Sequence, residues 1–146
     1  KFGMKVYIGY FFNHDSPFRT ERHVNQMIVK TIKRISEGSN ENLELGNTHV
    51  LKEFNYAADV VEAVWVLLNQ NEIFETVIGS GEAHSIQEWL EYCFNKTGMK
   101  WQDHVIQKDN FKSEYDVLVS DPTIIKSLGW KQNVSFSELA DLMMSY

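Results

Sequence analysis

The sequence lacks most of what would mark a secreted, membrane-bound or nucleic-acid-binding protein. It has one cysteine, Cys93, so no intrachain disulfide can form and a reducing, cytoplasmic setting is expected. Basic residues are outnumbered, 14 Lys and Arg against 20 Asp and Glu for a net charge of −6. That balance argues against nucleic acid and anionic membranes as partners, because both select a basic footprint. No apolar run approaches the roughly 18 residues of a membrane span, and no charged-then-apolar leader opens the chain. The phosphate-loop spacing G-x-G-x-x-G is missing, since Gly79-Ser80-Gly81 meets His84 at the third glycine position; a tight turn is the better reading. Histidines 14, 23, 49, 84 and 104 share no metal-ligand spacing and have no cysteine partner. Neither a Ser-His-Asp nor a Cys-His set can be assembled, and Cys93 falls on the apolar face of its helix, where a thiol is inert.

What is present is a globular core. Of the 146 residues, 43% are apolar and 13% aromatic, too high a load for a disordered segment. One domain fits the length. Residues 5–12 are apolar on both alternations, the pattern of a strand buried on both faces in a parallel sheet. Polar turn formers and a proline, Asn13-His14-Asp15-Ser16-Pro17, end it. A helix is expected over 21–36, with Val24, Met27, Ile28, Ile32 and Ile35 on one face and Gly38 just beyond. Short strands follow at 43–45 and within 51–56. The helix at 57–69 has so little polar surface that deep burial is expected. A second buried strand at 75–79 precedes Ser85-Ile86-Gln87-Glu88, a capping box, whose helix puts Ile86, Trp89, Leu90, Cys93 and Phe94 on one face and ends near Gly98. Residues 99–107 read as a weak edge strand and 108–115 as a polar loop. Asp121-Pro122 reads as an N-cap with proline at the first helical position, and Ser135-Phe136-Ser137-Glu138 as a second capping box. The whole is an α/β arrangement with an irregular appendage.

The densest polar group is Asn13-His14-Asp15-Ser16-Pro17, with Arg19 and Arg22 behind it. It sits where a parallel strand ends, the place where open α/β sheets bind ligands. His14, Arg19 and the start of the next helix could meet a pyrophosphate. On residue types alone a satisfied turn, with Asp15 and Ser16 bonded to their own backbone, is favoured. Lys52 is a lone cation in an apolar stretch. It could be a phosphate ligand, although on chemistry alone a solvated edge residue is favoured. Lys112, Glu114 and Asp116 lie in the long polar loop and either carry function or keep a surface wet.

Several stretches, in order, carry a family likeness. They are Gly9-Tyr10-Phe11-Phe12-Asn13-His14-Asp15-Ser16-Pro17, Leu45-Gly46-Asn47, Lys52-Glu53-Phe54 and Ala58-Asp59-Val60-Val61-Glu62-Ala63. Val77-Ile78-Gly79-Ser80-Gly81-Glu82-Ala83-His84-Ser85, Ser120-Asp121-Pro122 and Leu128-Gly129-Trp130-Lys131 complete them. Together they resemble the C-terminal half of an extended short-chain dehydrogenase/reductase, closest to the GDP-mannose 4,6-dehydratase family. The resemblance implies the C-terminal portion of a Rossmann-like fold: two buried parallel strands plus a small, mostly helical substrate-binding part, residues 1–146 forming a single domain. It implies a substrate-binding domain of an NAD(P)-dependent nucleotide-sugar 4,6-dehydratase, with a related epimerase or 4-reductase as the alternative, and a stand-alone nucleotide-binding module as the alternative of another class.

By the resemblance, His14 and Arg19 would contact NADP or NAD, and Asn13 the sugar nucleotide. Lys52 falls where the family has an arginine gripping the substrate diphosphate. Glu114 matches a glutamate near the nucleoside, and Lys112 lies one place from a family arginine. Met27 replaces a family lysine and Phe18 a family arginine. The family reaction takes a hydride from sugar C4, expels water across C5–C6 and returns the hydride to C6. Its glycine-rich loop, Ser/Thr, Tyr-x-x-x-Lys pair and dehydratase glutamate match nothing in these 146 residues, so no catalytic residue is expected here. The start at Lys1, running at once into apolar sequence, reads as a piece cut from a longer chain. The implied partners are a nucleotide diphosphate sugar, the missing Rossmann half and further copies in a homo-oligomer.

Overall fold

A computed structural model describes residues 3–108 and 113–146. Among the described residues short strands interleave with five α-helices, and every strand pair joins segments remote in sequence. Strand β1 (Ile8–Phe11) lies parallel to β6 (Glu75–Ile78), with Ile8 opposite Glu75 and Phe11 opposite Ile78. β2 (His14–Asp15) runs parallel to β5 (Asn55–Tyr56), and β3 (Leu43–Leu45) parallel to β8 (Val105–Gln107). β4 (Leu51–Lys52) is the centre of a three-stranded sheet, antiparallel to β7 (His84–Ser85) and parallel to β9 (Val117–Leu118). Residues 13–17 thus do more than end a strand. His14 and Asp15 pair with Asn55 and Tyr56, which places polar side chains on a fixed backbone.

The helices are α1 (Val24–Ser36), α2 (Ala57–Leu68), α3 (Ile86–Thr97), α4 (Thr123–Ser127) and α5 (Phe136–Ser145). α1, α3 and α5 pack on one another around Ile28, Ile32, Trp89, Leu90, Phe94, Leu139 and Met143. Phe54, from the turn between β4 and β5, enters this core and stacks on Trp89 with ring centroids 5.1 Å apart. A second, smaller core joins α2, α4 and β6 through Val60, Ala63, Ile78, Ile125 and Trp130.

Both capping boxes form. Ser85 Oγ accepts from Glu88 N–H at 3.0 Å and Ser135 Oγ from Glu138 N–H at 3.4 Å, each glutamate reaching back to the serine N–H. α3 ends at Gly98, whose φ of 74° suits a residue without Cβ. α4 begins at Thr123, one residue later than expected. Pro122 is the cap residue, and the Asp121 carboxylate still accepts from Thr123 N–H, at 3.1 Å. Residues 99–107 divide into a single 3-10 turn, Trp101–Asp103, and β8.

Two burial expectations fail. In β1, Ile8, Tyr10 and Phe11 are 46, 53 and 52% exposed, so the parallel pairing is present but its covering layers are not. In α2, Val61 and Trp65 are 66 and 69% exposed. Only one face of that helix is buried, through Val60, Ala63 and Leu67, the first two in the small core, and composition alone does not reveal which apolar face has a neighbour. Asp59 on the same helix is buried. Its carboxylate accepts from Asn133 N–H at 3.0 Å and Val134 N–H at 2.9 Å, and its carbonyl accepts from Trp130 Nε1 at 2.9 Å, fixing the α4–α5 connection to α2.

Candidate functional site

A cleft opens where β2, β4, the first turn of α1 and the segment before β9 meet. It consists of two adjoining cavities that share Val24, Lys52 and Tyr115. The larger, about 410 Å³, is walled by Leu45, Gly46, Asn47 and Val50 on one side and by Ile86 and the 113–115 segment on the other. The smaller, about 110 Å³, is polar and is lined by Asn13, His14, Asp15, Arg19, His23 and Asn25. Of the residues singled out from sequence, Asn13, His14, Arg19 and Lys52 therefore converge on the smaller cavity, and Lys52 and Glu114 on the larger. Lys112 lies outside the described residues.

Lys52 is the joint between the two. It is 8% exposed, which overturns the reading of it as a solvated edge residue. Its Nζ donates to Asn25 Oδ1 at 3.1 Å and sits 5.0 Å from the Phe54 ring centroid. Burial pushes its pKa down from 10.5 to about 8, the nearby Asp15 carboxylate opposing and the Arg19 cation assisting. A buried ammonium with so little compensation is poised to meet an anion.

Around it, Asp15 holds two partners at once. Oδ1 is 3.2 Å from Arg19 Nε, and Oδ2 accepts from Asn25 Nδ2 at 2.6 Å. Arg19 also donates to the His14 carbonyl at 2.6 Å and lies 3.0 Å from His23 Nδ1. The carboxylate thus reaches beyond its own turn, to α1, whereas Ser16 Oγ does what a turn serine does and accepts from Phe18 N–H at 3.3 Å. His14 Nδ1 lies 2.9 Å from the Phe12 carbonyl. An acceptor there requires Nδ1 to carry the proton, which leaves Nε2 for a ligand. The Asn13 carbonyl is taken by Asn55, through Nδ2 at 2.9 Å and the backbone N–H at 3.3 Å.

Sequence reasoning missed Glu53. Fully buried, it accepts from Ser80 N–H at 2.7 Å, Ser120 N–H at 2.5 Å and Asn55 Nδ2 at 2.9 Å. Desolvation raises its pKa, but the hydrogen bonds from Asn55, Ser120 and Ser80 together outweigh it and hold the carboxyl below the usual value. This carboxylate ties the turn that carries Lys52 to the 79–81 turn and to the strand exit at Ser120. The Ser80 N–H that a phosphate loop would offer to a ligand is spent on Glu53.

Gly79 is required by the same arrangement. A Cβ there would stand 2.4 Å from Glu53 Oε2 and 2.5 Å from Ser120 Oγ. Gly79→Ala should cost about 1–3 kcal/mol through this overlap, read as a lowered urea midpoint with an unchanged m-value. A midpoint equal to that of the parent chain would contradict the packing described. Cys93 is buried in the main core, where burial pushes its thiol up to about 12, as expected for an inert cysteine. Among the described residues no three His, Cys, Asp or Glu side chains gather as a metal site, and no helix is long and apolar enough to cross a membrane.

The chain as a whole is similar to known proteins. A family model described as GDP-mannose 4,6 dehydratase matches residues 1–143. GDP-mannose 4,6 dehydratase 1 of Arabidopsis thaliana is 36% identical over 146 residues, covering 98% of this chain and 40% of its own length. The GDP-mannose 4,6 dehydratase of Homo sapiens is 32% identical, covering 93% of this chain and 42% of its own length. The chain therefore spans about 40% of the length of the curated relatives it matches. Among solved structures, RMD from Pseudomonas aeruginosa complexed with NADPH superposes with a TM-score of 0.89 at 23% identity, over 98% of this chain and 48% of that one. The dTDP-glucose 4,6-dehydratase of Bacillus anthracis in complex with NAD gives 0.83 at 14% identity, over 96% and 43%. These superpositions show a fold shared with both proteins, and this chain covers less than half of each.

Proposed function

The chain belongs to the GDP-mannose 4,6-dehydratase family, and on that premise we propose that it is the substrate-binding part of an NAD(P)-dependent nucleotide-sugar 4,6-dehydratase. The observation that carries the reading is convergence. Asn13, His14, Arg19, Lys52 and Glu114, chosen from sequence and up to 101 positions apart, line two cavities joined at one buried ammonium. The division of labour follows from the walls. The larger cavity, with Val24, Leu45, Val50, Ile86 and Tyr115, suits a flat nucleoside, with Glu114 as acceptor for its N–H or hydroxyl groups. Lys52 neutralises phosphate at the junction, helped by the N-terminus of α1. Asn13 lies on the smaller, polar side, where the sugar would sit.

The cofactor would accept a hydride from the sugar and return it. The residues here fit a supporting role towards it. His14 has Nε2 available for a ligand, whereas Arg19 would reach a cofactor phosphate only by giving up a partner among Asp15, His14 and His23. Most of the cofactor site and all of the acid–base chemistry would come from the Rossmann half of the enzyme. The open faces of β1 and α2 support that assignment, since parallel strands are normally covered on both sides. Further copies in a homo-oligomer, in the cytoplasm, complete the proposal.

Isothermal titration of the chain with GDP, GDP-mannose and UDP tests the reading. Saturable binding of a nucleotide that weakens about tenfold or more on Lys52→Met is expected. Absence of binding by any of the three would remove it.

A further inference from the structure

Lysine has a flexible stem, so a lysine that grips an anion in a cleft needs something to hold its ammonium in place. Here that something is a side chain with no charge and almost no exposure. Asn25 is 1% exposed and sits in the first turn of α1, and its two amide atoms face opposite charges. Oδ1 accepts from Lys52 Nζ at 3.1 Å, and Nδ2 donates to Asp15 Oδ2 at 2.6 Å. Only this orientation satisfies both neighbours, because a carboxylate needs a donor and an ammonium an acceptor. Among the described residues Asn25 is the one hydrogen-bond acceptor that Lys52 meets.

We propose that Asn25 is a positioning residue: its amide oxygen holds the Lys52 ammonium at the junction of the two cavities, while its amide nitrogen holds the Asp15 carboxylate beside it. Without that oxygen the buried ammonium would lose its acceptor and release its proton more readily, removing the charge a ligand phosphate needs. Asp15 is itself held by Asn25 on one oxygen and by Arg19, 3.2 Å away, on the other. The inference deepens the nucleotide-sugar reading and rests on it for the identity of the anion.

The charged and titratable groups around Lys52 come from every side of the cleft. Asp15, His14, Arg19 and His23 lie on the β2–α1 side, Glu114 lies on the far wall, and His84 is the partner of Lys52 across the β4–β7 pair. Asn25 is uncharged, so its effect separates cleanly from theirs.

The test follows the Lys52 side chain by NMR of 13C-labelled lysine without ligand, in the parent chain, Asn25→Leu and the isosteric Asn25→Asp, alongside GDP titrations at pH 6 and pH 7.5. Asn25→Leu should lower the Lys52 pKa by about one unit, which cuts the charged fraction at pH 7.5 about threefold and GDP affinity with it. That loss should close towards pH 6, where the ammonium is restored; a purely structural defect would persist there. Asn25→Asp should raise the pKa. Unchanged Lys52 titration in both variants overturns the proposal. Should the parent chain bind no GDP while Lys52 still follows Asn25, the positioning link stands and the nucleotide reading falls.

Discussion

Glu53→Leu is expected to cost about 4 kcal/mol or more and to lower the thermal midpoint by about 10 °C or more. The leucine would leave two backbone N–H groups, of Ser80 and Ser120, and one N–H of the Asn55 amide, whose other donates to the Asn13 carbonyl, without an acceptor in a site closed to water. Each orphaned donor costs about 1–3 kcal/mol, against a total stability of about 5–15 for a domain of this kind. Glu53→Gln should fall between, because its oxygen can still accept while its NH₂ faces other donors. The folded pKa of Glu53 is depressed, so its stabilisation is full above the ordinary value of 4.5 and drains away as pH falls through the lower folded value. Thermal melts of Glu53→Gln should therefore show a flatter acid limb than the parent. A Glu53→Leu melt within a degree of the parent would show that these contacts are dispensable.

The second large effect has opposite signs for binding and folding. Lys52→Met should weaken nucleotide binding about tenfold to a hundredfold, the usual range for losing a hydrogen bond to a charged group. The same change should stabilise the fold at neutral pH, by up to roughly 3 kcal/mol. The sign follows from the depressed value of about 8 against 10.5. Between those limits the unfolded chain holds the proton and the folded chain releases it, so stability climbs as pH rises through that window and carries the full burial penalty below it. Methionine has no such penalty and its thioether suits the face of Phe54. Urea melts at pH 7 and pH 10 of both chains read this directly: the advantage of Lys52→Met should shrink at the higher pH. A variant less stable than the parent at pH 7 would mean that the ammonium is better satisfied than its surroundings indicate. Surplus stability forgone at a binding residue is a common signature of a site kept for function.

Much of the architecture is legible in the sequence because the signals are local. The boxes at Ser85–Glu88 and Ser135–Glu138, the α3 stripe through Trp89 and Phe94 and the stop at Gly98 are each decided within one or two turns of chain. Strand β1 follows from its unbroken apolar run. What escapes is decided at a distance. On residue chemistry alone Lys52 reads as a solvated edge residue and Glu53 carries no signal, yet both are buried, because their partners Asn25, Ser80 and Ser120 stand far along the chain. The same holds for Trp65 and Tyr10, where an apolar side chain is an offer of burial that only a neighbouring layer can accept. Asn13, His14, Arg19, Lys52 and Glu114 line adjoining cavities, but Asn25, which links Lys52 to Asp15, carries no motif at all.

The strand pairings have a consequence for how this molecule comes into being. Ile8 meets Glu75, His14 meets Asn55, Leu43 meets Val105 and Leu51 meets Val117; among the described residues no strand bonds to the one before or after it. No hairpin is available as a nucleus, and each ladder must close a long loop before its first bond is rewarded. The three-helix core of α1, α3 and α5 then has to assemble around unfinished β connections, which makes refolding a slow, collective event.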